Sequence, residues 1–106
     1  MSKDNDSATN DCCCAADDGI SQDYLHRRFA IESLREELEA VDVYDLRLQD
    51  CEDDSLAAIL AHNRDEEKEH AAMLIEWLRR NDEVWAKELK TYLFTKKDIV
   101  EVEESS

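Results

Sequence analysis

The sequence predicts an all-α fold: an antiparallel two-helix hairpin followed by a short third helix, half of a four-helix bundle that a second copy would complete. Three observations carry this. The 106 residues contain no Pro and one Gly, Gly19, so strand and tight-turn punctuation is nearly absent. Charged residues make up 39% of the chain, and apolar residues recur between them at threes, fours and sevens, the period of a helix face. A chain this short, arranged as two long helices and a short one, cannot enclose a large core alone, so self-association is expected.

Residues 1–20 are rich in Ser, Asn and Asp without periodicity, and are expected to form a disordered, Cys-containing tail. Ser21 is a candidate N-cap for a first helix over residues 22–49, roughly 40 Å long. Tyr24, Ile31, Leu34, Leu38, Val41 and Leu48 form its heptad-like seam, which Leu25 and Phe29 widen. Glu37 and Tyr44, seven apart with Val41 between them, border that stripe.

Residues 50–54 form an acidic turn, with Asp54 or Ser55 as the next cap, and a connection this short makes the flanking helices antiparallel neighbours. The second helix is expected over residues 56–80. Counting by heptads gives Leu56, Asn63, His70 and Trp77, and in parallel Leu60, Glu67, Leu74 and Asn81. Asn81 or Asp82 caps a third helix to about Phe94, with Trp85, Leu89, Tyr92 and Leu93 on its apolar face. That is more aromatic surface than a short surface helix needs, which suggests an intersubunit contact. The helical domain thus spans 21–95, and 96–106 is expected to be a mobile tail.

The formal net charge of -15 argues against nucleic acid or an anionic membrane as partner and suits attraction of cations. No apolar run is long enough to span a membrane, and the N-terminus lacks the basic and apolar regions of a signal peptide, so cytoplasmic synthesis is expected. Cys12, Cys13, Cys14 and Cys51 do not pair at the C-x-x-C spacing of zinc or redox sites, and none is assigned a role.

The chemistry concentrates in AHNRDEEKEH, residues 61–70. Glu67 and His70 stand three apart on the seam, so a carboxylate oxygen and an imidazole nitrogen can converge on one ion. An unpaired carboxylate in an apolar seam is costly. The bland alternatives are an ion pair from Arg64, three residues before Glu67, and a core histidine with one hydrogen bond. One Glu-x-x-His and one Glu from another helix, here Glu37, are half of a di-iron carboxylate site, and four-helix bundles use two of each. Carboxylate-rich, imidazole-containing sets suit iron or manganese. A two-fold dimer would complete the bundle and the site together. Tyr44 lies on the Glu37 side as a hydrogen-bond donor, a redox-active phenol or an ordinary interface tyrosine. His62, Glu66 and Glu69 form a second constellation on another face, either a weak outer metal site or a solvated face. Glu36 and Glu39 either attract incoming ions or are likewise solvated.

EELEAVDVYD (36–45), ILAHNRDEEKEHAAMLIEWLRRND (59–82) and TYLFT (91–95) together resemble the encapsulated ferritins over about residues 28–95. The resemblance implies a ferritin-like half-bundle that pairs and builds a ring-shaped homodecamer of five dimers, with two irons per dimer. It implies that Glu37, Glu67 and His70 of both chains ligate the irons and that Tyr44 lies beside them. Glu36 and Glu39 match a proposed site where metal comes in, and His62, Glu66 and Glu69 an outer, weaker one. Val43 stands where the family often has Trp, and 99–102 is a poor match to the short C-terminal peptide that docks members inside an encapsulin shell.

The expected function is therefore a ferroxidase that oxidises Fe(II) to Fe(III) with dioxygen and feeds iron mineralisation inside an encapsulin nanocompartment. The alternatives are a non-catalytic helical assembly module and another di-metal carboxylate oxidase or peroxidase.

Overall fold

The computed structural model describes residues 19–105. Cys12, Cys13 and Cys14, and all but the end of the expected N-terminal tail, lie outside the described residues. Four helices follow in chain order: α1 (Gln22–Asp50), α2 (Asp54–Asn81), α3 (Glu83–Tyr92) and α4 (Ile99–Ser105). No strand occurs among the described residues, so the all-α prediction holds.

Each of the first three helices begins on a side-chain oxygen that satisfies otherwise unpaired backbone N–H groups. The Ser21 hydroxyl accepts from the Tyr24 amide at 3.1 Å. Asp53, not the expected Asp54 or Ser55, caps α2. Its carboxylate accepts from the Leu56 amide and the Ser55 hydroxyl, both at 2.8 Å, and these bonds hold its pKa below the ordinary value. Ser55 thus supports the cap. Asp82 caps α3, accepting from the Val84 and Trp85 amides at 2.9 and 3.0 Å. Acids in the first turns and Arg47, Arg79, Arg80 and Lys90 in the last turns complement the helix dipoles.

The two long helices pack as an antiparallel hairpin. Its register shows in two cross-helix pairs: moving forward on α1 from Glu37 to Asp45 matches moving back on α2 from His70 to Arg64. α3 ends earlier than its apolar residues suggested. Leu93 is already extended, and Phe94 has φ of 63°, a left-handed conformation that β-substituted residues adopt reluctantly. Thr95 closes the turn by donating its hydroxyl to the Tyr92 carbonyl at 2.7 Å. Within the segment expected to be a mobile tail, residues 99–105 form α4, whose Val102 is buried and which packs on α3.

The chain is 16 Å through its thinnest direction, little more than one layer of helices. Among the described residues only Ala30, Ala71, Leu78 and Val102 are buried, and Leu78 is the one large side chain among them fully shielded from solvent. The expected α1 seam is in fact two neighbouring stripes. Leu34, Val41 and Leu48 are half-buried, whereas Tyr24, Ile31 and Leu38 remain 46, 42 and 54% exposed. On α2, Leu60 and Leu74 are half-buried while Leu56, Ile59 and Met73 are exposed. Heptad counting on one helix could not separate the stripes, because both repeat every seven residues.

Candidate metal centre

Glu37 comes from the middle of α1, and Glu67 and His70 from successive turns of α2, at the level where the antiparallel register sets them opposite one another. The Glu-x-x-His spacing puts both α2 side chains on one face. His70 Nδ1 lies 2.9 Å from Glu67 Oε1 and 3.4 Å from Glu37 Oε1. One ligand atom from each residue falls within 4.8 Å of the others, and this is the only such three-residue group of metal-ligating side chains among the described residues. Neighbouring ligands on a first-row metal at about 2.1 Å stand about 3.0–3.4 Å apart, which the 2.9 and 3.4 Å separations from His70 Nδ1 already approach. With Nδ1 protonated, the imidazole donates towards both carboxylates, and that proton occupies the place of a cation. The set of two hard anionic oxygens and one imidazole nitrogen fits iron or manganese.

The three side chains are half-buried, at 25% (Glu37), 24% (Glu67) and 41% (His70) exposure, and open to one side. Partial burial raises the Glu37 pKa, with the neighbouring Glu67 carboxylate adding to the rise and His70 opposing it. For His70, burial pulls the pKa down, but the hydrogen bond to Glu67 and the charge of Glu37 outweigh it and the net shift is upward. Two carboxylates crowd each other, and an added positive charge relieves them.

The ion pair with Arg64, the bland alternative for Glu67, does not form among the described residues. Arg64 turns across the hairpin to Asp45 at 3.0 Å and along its own helix to Asp65 at 3.2 Å. Glu67 is left with His70. Sequence reasoning missed this arrangement. Its signal was the antiparallel register, which sets Asp45 opposite Arg64.

The other candidate residues are placed without being gathered into the cluster. Tyr44 is half-buried beneath the Arg47 guanidinium, 5.8 Å from its ring centroid, and no hydrogen bond joins it to Glu37, Glu67 or His70 within the described chain. Glu36 and Glu39 line an open groove on α1 with Glu32, Leu38 and Arg35, whose positive charge interrupts the acidic belt. His62, Glu66 and Glu69 are exposed along α2 and belong to no three-ligand group in the described residues.

Comparison with known proteins shows the family. A family model described as EncFtn-like matches residues 14–96. An encapsulated ferritin-like protein of Rhodospirillum rubrum is 58% identical over 84 residues, covering 79% of this chain and 60% of that protein, so the chain spans less than two thirds of that relative's length. A ferritin-like protein of Thermotoga maritima is 56% identical over 88 residues, covering 83% of this chain and 75% of that protein. The crystal structure of protein NE0167 from Nitrosomonas europaea superposes with a TM-score of 0.74 at 60% identity, covering 78% of this chain and 91% of that one. The chain belongs to the EncFtn-like family, the encapsulated ferritins.

Proposed function

We propose that the protein is a ferroxidase whose reaction centre is built by two copies of the chain, each contributing Glu37, Glu67 and His70. The observation that carries this reading is the convergence of those three side chains on the open, half-buried face of a protomer one helix layer thick. Ile59 and Met73, 56 and 59% exposed on the side of α2 that carries His70, support a partner there, and a second copy is the partner that also completes the ligand set.

Fe(II) is the substrate. Four carboxylates from two chains balance the charge of two Fe(II) ions, and one His70 from each chain supplies a neutral nitrogen. Dioxygen takes the electrons, and Glu37 and Glu67, as hard anions, stabilise the ferric product over the ferrous substrate. Carboxylates shift between one and two donor oxygens at small cost, which lets product depart. Tyr44, two turns along α1 from Glu37, stands as a nearby phenol, and Glu36 and Glu39 as surface acids that draw cations in. His62, Glu66 and Glu69 are at most a weak outer site.

The relatives' names support iron handling and encapsulation. An encapsulin shell would therefore hold the mineral, with the protein inside it as dimers arranged in a decameric ring. The test follows Fe(II) oxidation by the absorbance of ferric product. Glu67→Ala and His70→Ala should abolish the enzymatic rate, and wild-type rates in either would refute the assignment. A core held together merely by salt bridges is disfavoured by Arg64, which passes over Glu67 for Asp45.

A further inference from the structure

Besides His70, Arg64 is the one basic residue three or four positions from Glu67 on α2, the spacing at which a helix forms an ion pair. Such a pair would cancel a charge that the proposed site needs. The structure shows the guanidinium committed elsewhere. Its Nη1 donates to Asp45 Oδ1 at 3.0 Å across the hairpin, and its Nε donates to Asp65 Oδ1 at 3.2 Å. These two bonds hold the planar fork at Asp45 and Asp65, and among the described residues no bond joins it to Glu67. Lys68, the other nearby cation, lies 3.8 Å from the same Asp65 oxygen.

We propose that Asp45 and Asp65 are positioning residues that divert Arg64 from Glu67, so that the Glu67 carboxylate stays free for a divalent cation. The inference rests on the metal reading above and goes beyond it, because it assigns a role to residues that touch no ligand atom of the centre. A tie between two helices is the plainer role for an Arg64–Asp45 bridge, and the two roles differ in what removal of Arg64 does. As a tie, Arg64 is needed. As a diverted competitor, it is harmless when held, harmful when released and dispensable when absent.

The experiment is anaerobic Fe(II) binding to the full chain by isothermal titration calorimetry, with melting curves recorded for each variant. Asp45→Ala releases one bond of the guanidinium, and Fe(II) affinity should fall by up to about fivefold, the strength of an ordinary exposed ion pair. Arg64→Gln should bind as tightly as wild type or more tightly, and Asp45→Ala/Arg64→Gln should recover wild-type affinity. Asp42→Ala removes the same charge from an exposed acid on α1 that makes no bond to Arg64, and should leave affinity unchanged. Weakening in Arg64→Gln equal to that in Asp45→Ala would reduce the bridge to a tie. Equal weakening in Asp42→Ala would reduce the effect to net charge. Wild-type protein that binds no Fe(II) would overturn the metal reading itself, whereas tight wild-type binding with Asp45→Ala unchanged would overturn only this inference.

Discussion

Replacing Glu67 with Gln separates the two things a half-buried carboxylate can do. The substitution keeps the side-chain shape and a carbonyl that can still accept from His70, now 2.9 Å away, but removes the charge. In a pair of chains the four carboxylates would drop to two against two Fe(II) ions, leaving two positive charges unbalanced in a site that water reaches only partly. Loss of an outer partner of a metal ligand already costs about 10–100-fold in affinity, so loss of a charged ligand from each chain should cost about 100-fold or more. Without metal the effect should run the other way. Glu67 helps to raise the Glu37 pKa, so the two acids repel, and removing one relieves the crowding. The melting temperature of metal-free Glu67→Gln should therefore stay within about 4 °C of wild type, or rise. Anaerobic Fe(II) titration and thermal melts on the same samples read both quantities. Wild-type affinity in Glu67→Gln, or a metal-free variant that fails to fold, would refute the assignment of Glu67 as a ligand.

The pH dependence should show opposite slopes with and without metal. The folded-state pKa of His70 lies above its ordinary 6.5, so its contribution to metal-free stability is complete below 6.5 and is lost as pH rises through the raised value. Glu37, raised above 4.5, likewise disfavours the metal-free fold once it ionises. Metal needs both groups deprotonated, so the gain in melting temperature on adding Fe(II) anaerobically should widen as pH rises from about 6 to 8, and a gain independent of pH would contradict this. Leu78→Ala, which empties the best-shielded position described, should destabilise by about 2–5 kcal/mol in chemical denaturation while leaving the ligand cluster in place. Phe94 is 99% exposed at φ 63°, so Phe94→Gly should favour the isolated protomer by about 1 kcal/mol. If its ring packs on another subunit, the same change should lower assembly in sedimentation, and unchanged assembly would remove Phe94 from the interface.

Much of the fold was legible because few forces compete in this chain. Without Pro, and with Gly only at residue 19, the apolar period alone decides helix against strand, and the acidic turn at 50–54 fixes the hairpin. The cluster was legible because Glu-x-x-His spacing is local, and Glu37 could be matched to it from the helix face it borders. Features that depend on contact across the hairpin were not. Arg64 has Glu67 in helical reach, but its preference for Asp45 follows from register, which one helix does not reveal. The choice of Asp53 over Asp54 and Ser55 turned on which oxygen meets the Leu56 amide. α4 escaped notice because seven residues are too few to show a helical period, and Val102 finds its burial only once α3 is in place.

On the proposed reading the site is half complete in one chain and whole in two. Native mass measured on the full chain, with and without anaerobic Fe(II), tests it most directly. Assemblies with even numbers of chains should take up two irons per pair and be favoured by iron, while single chains remain empty. Single chains that each bind one iron tightly, or assemblies whose size and mass ignore Fe(II), would contradict it.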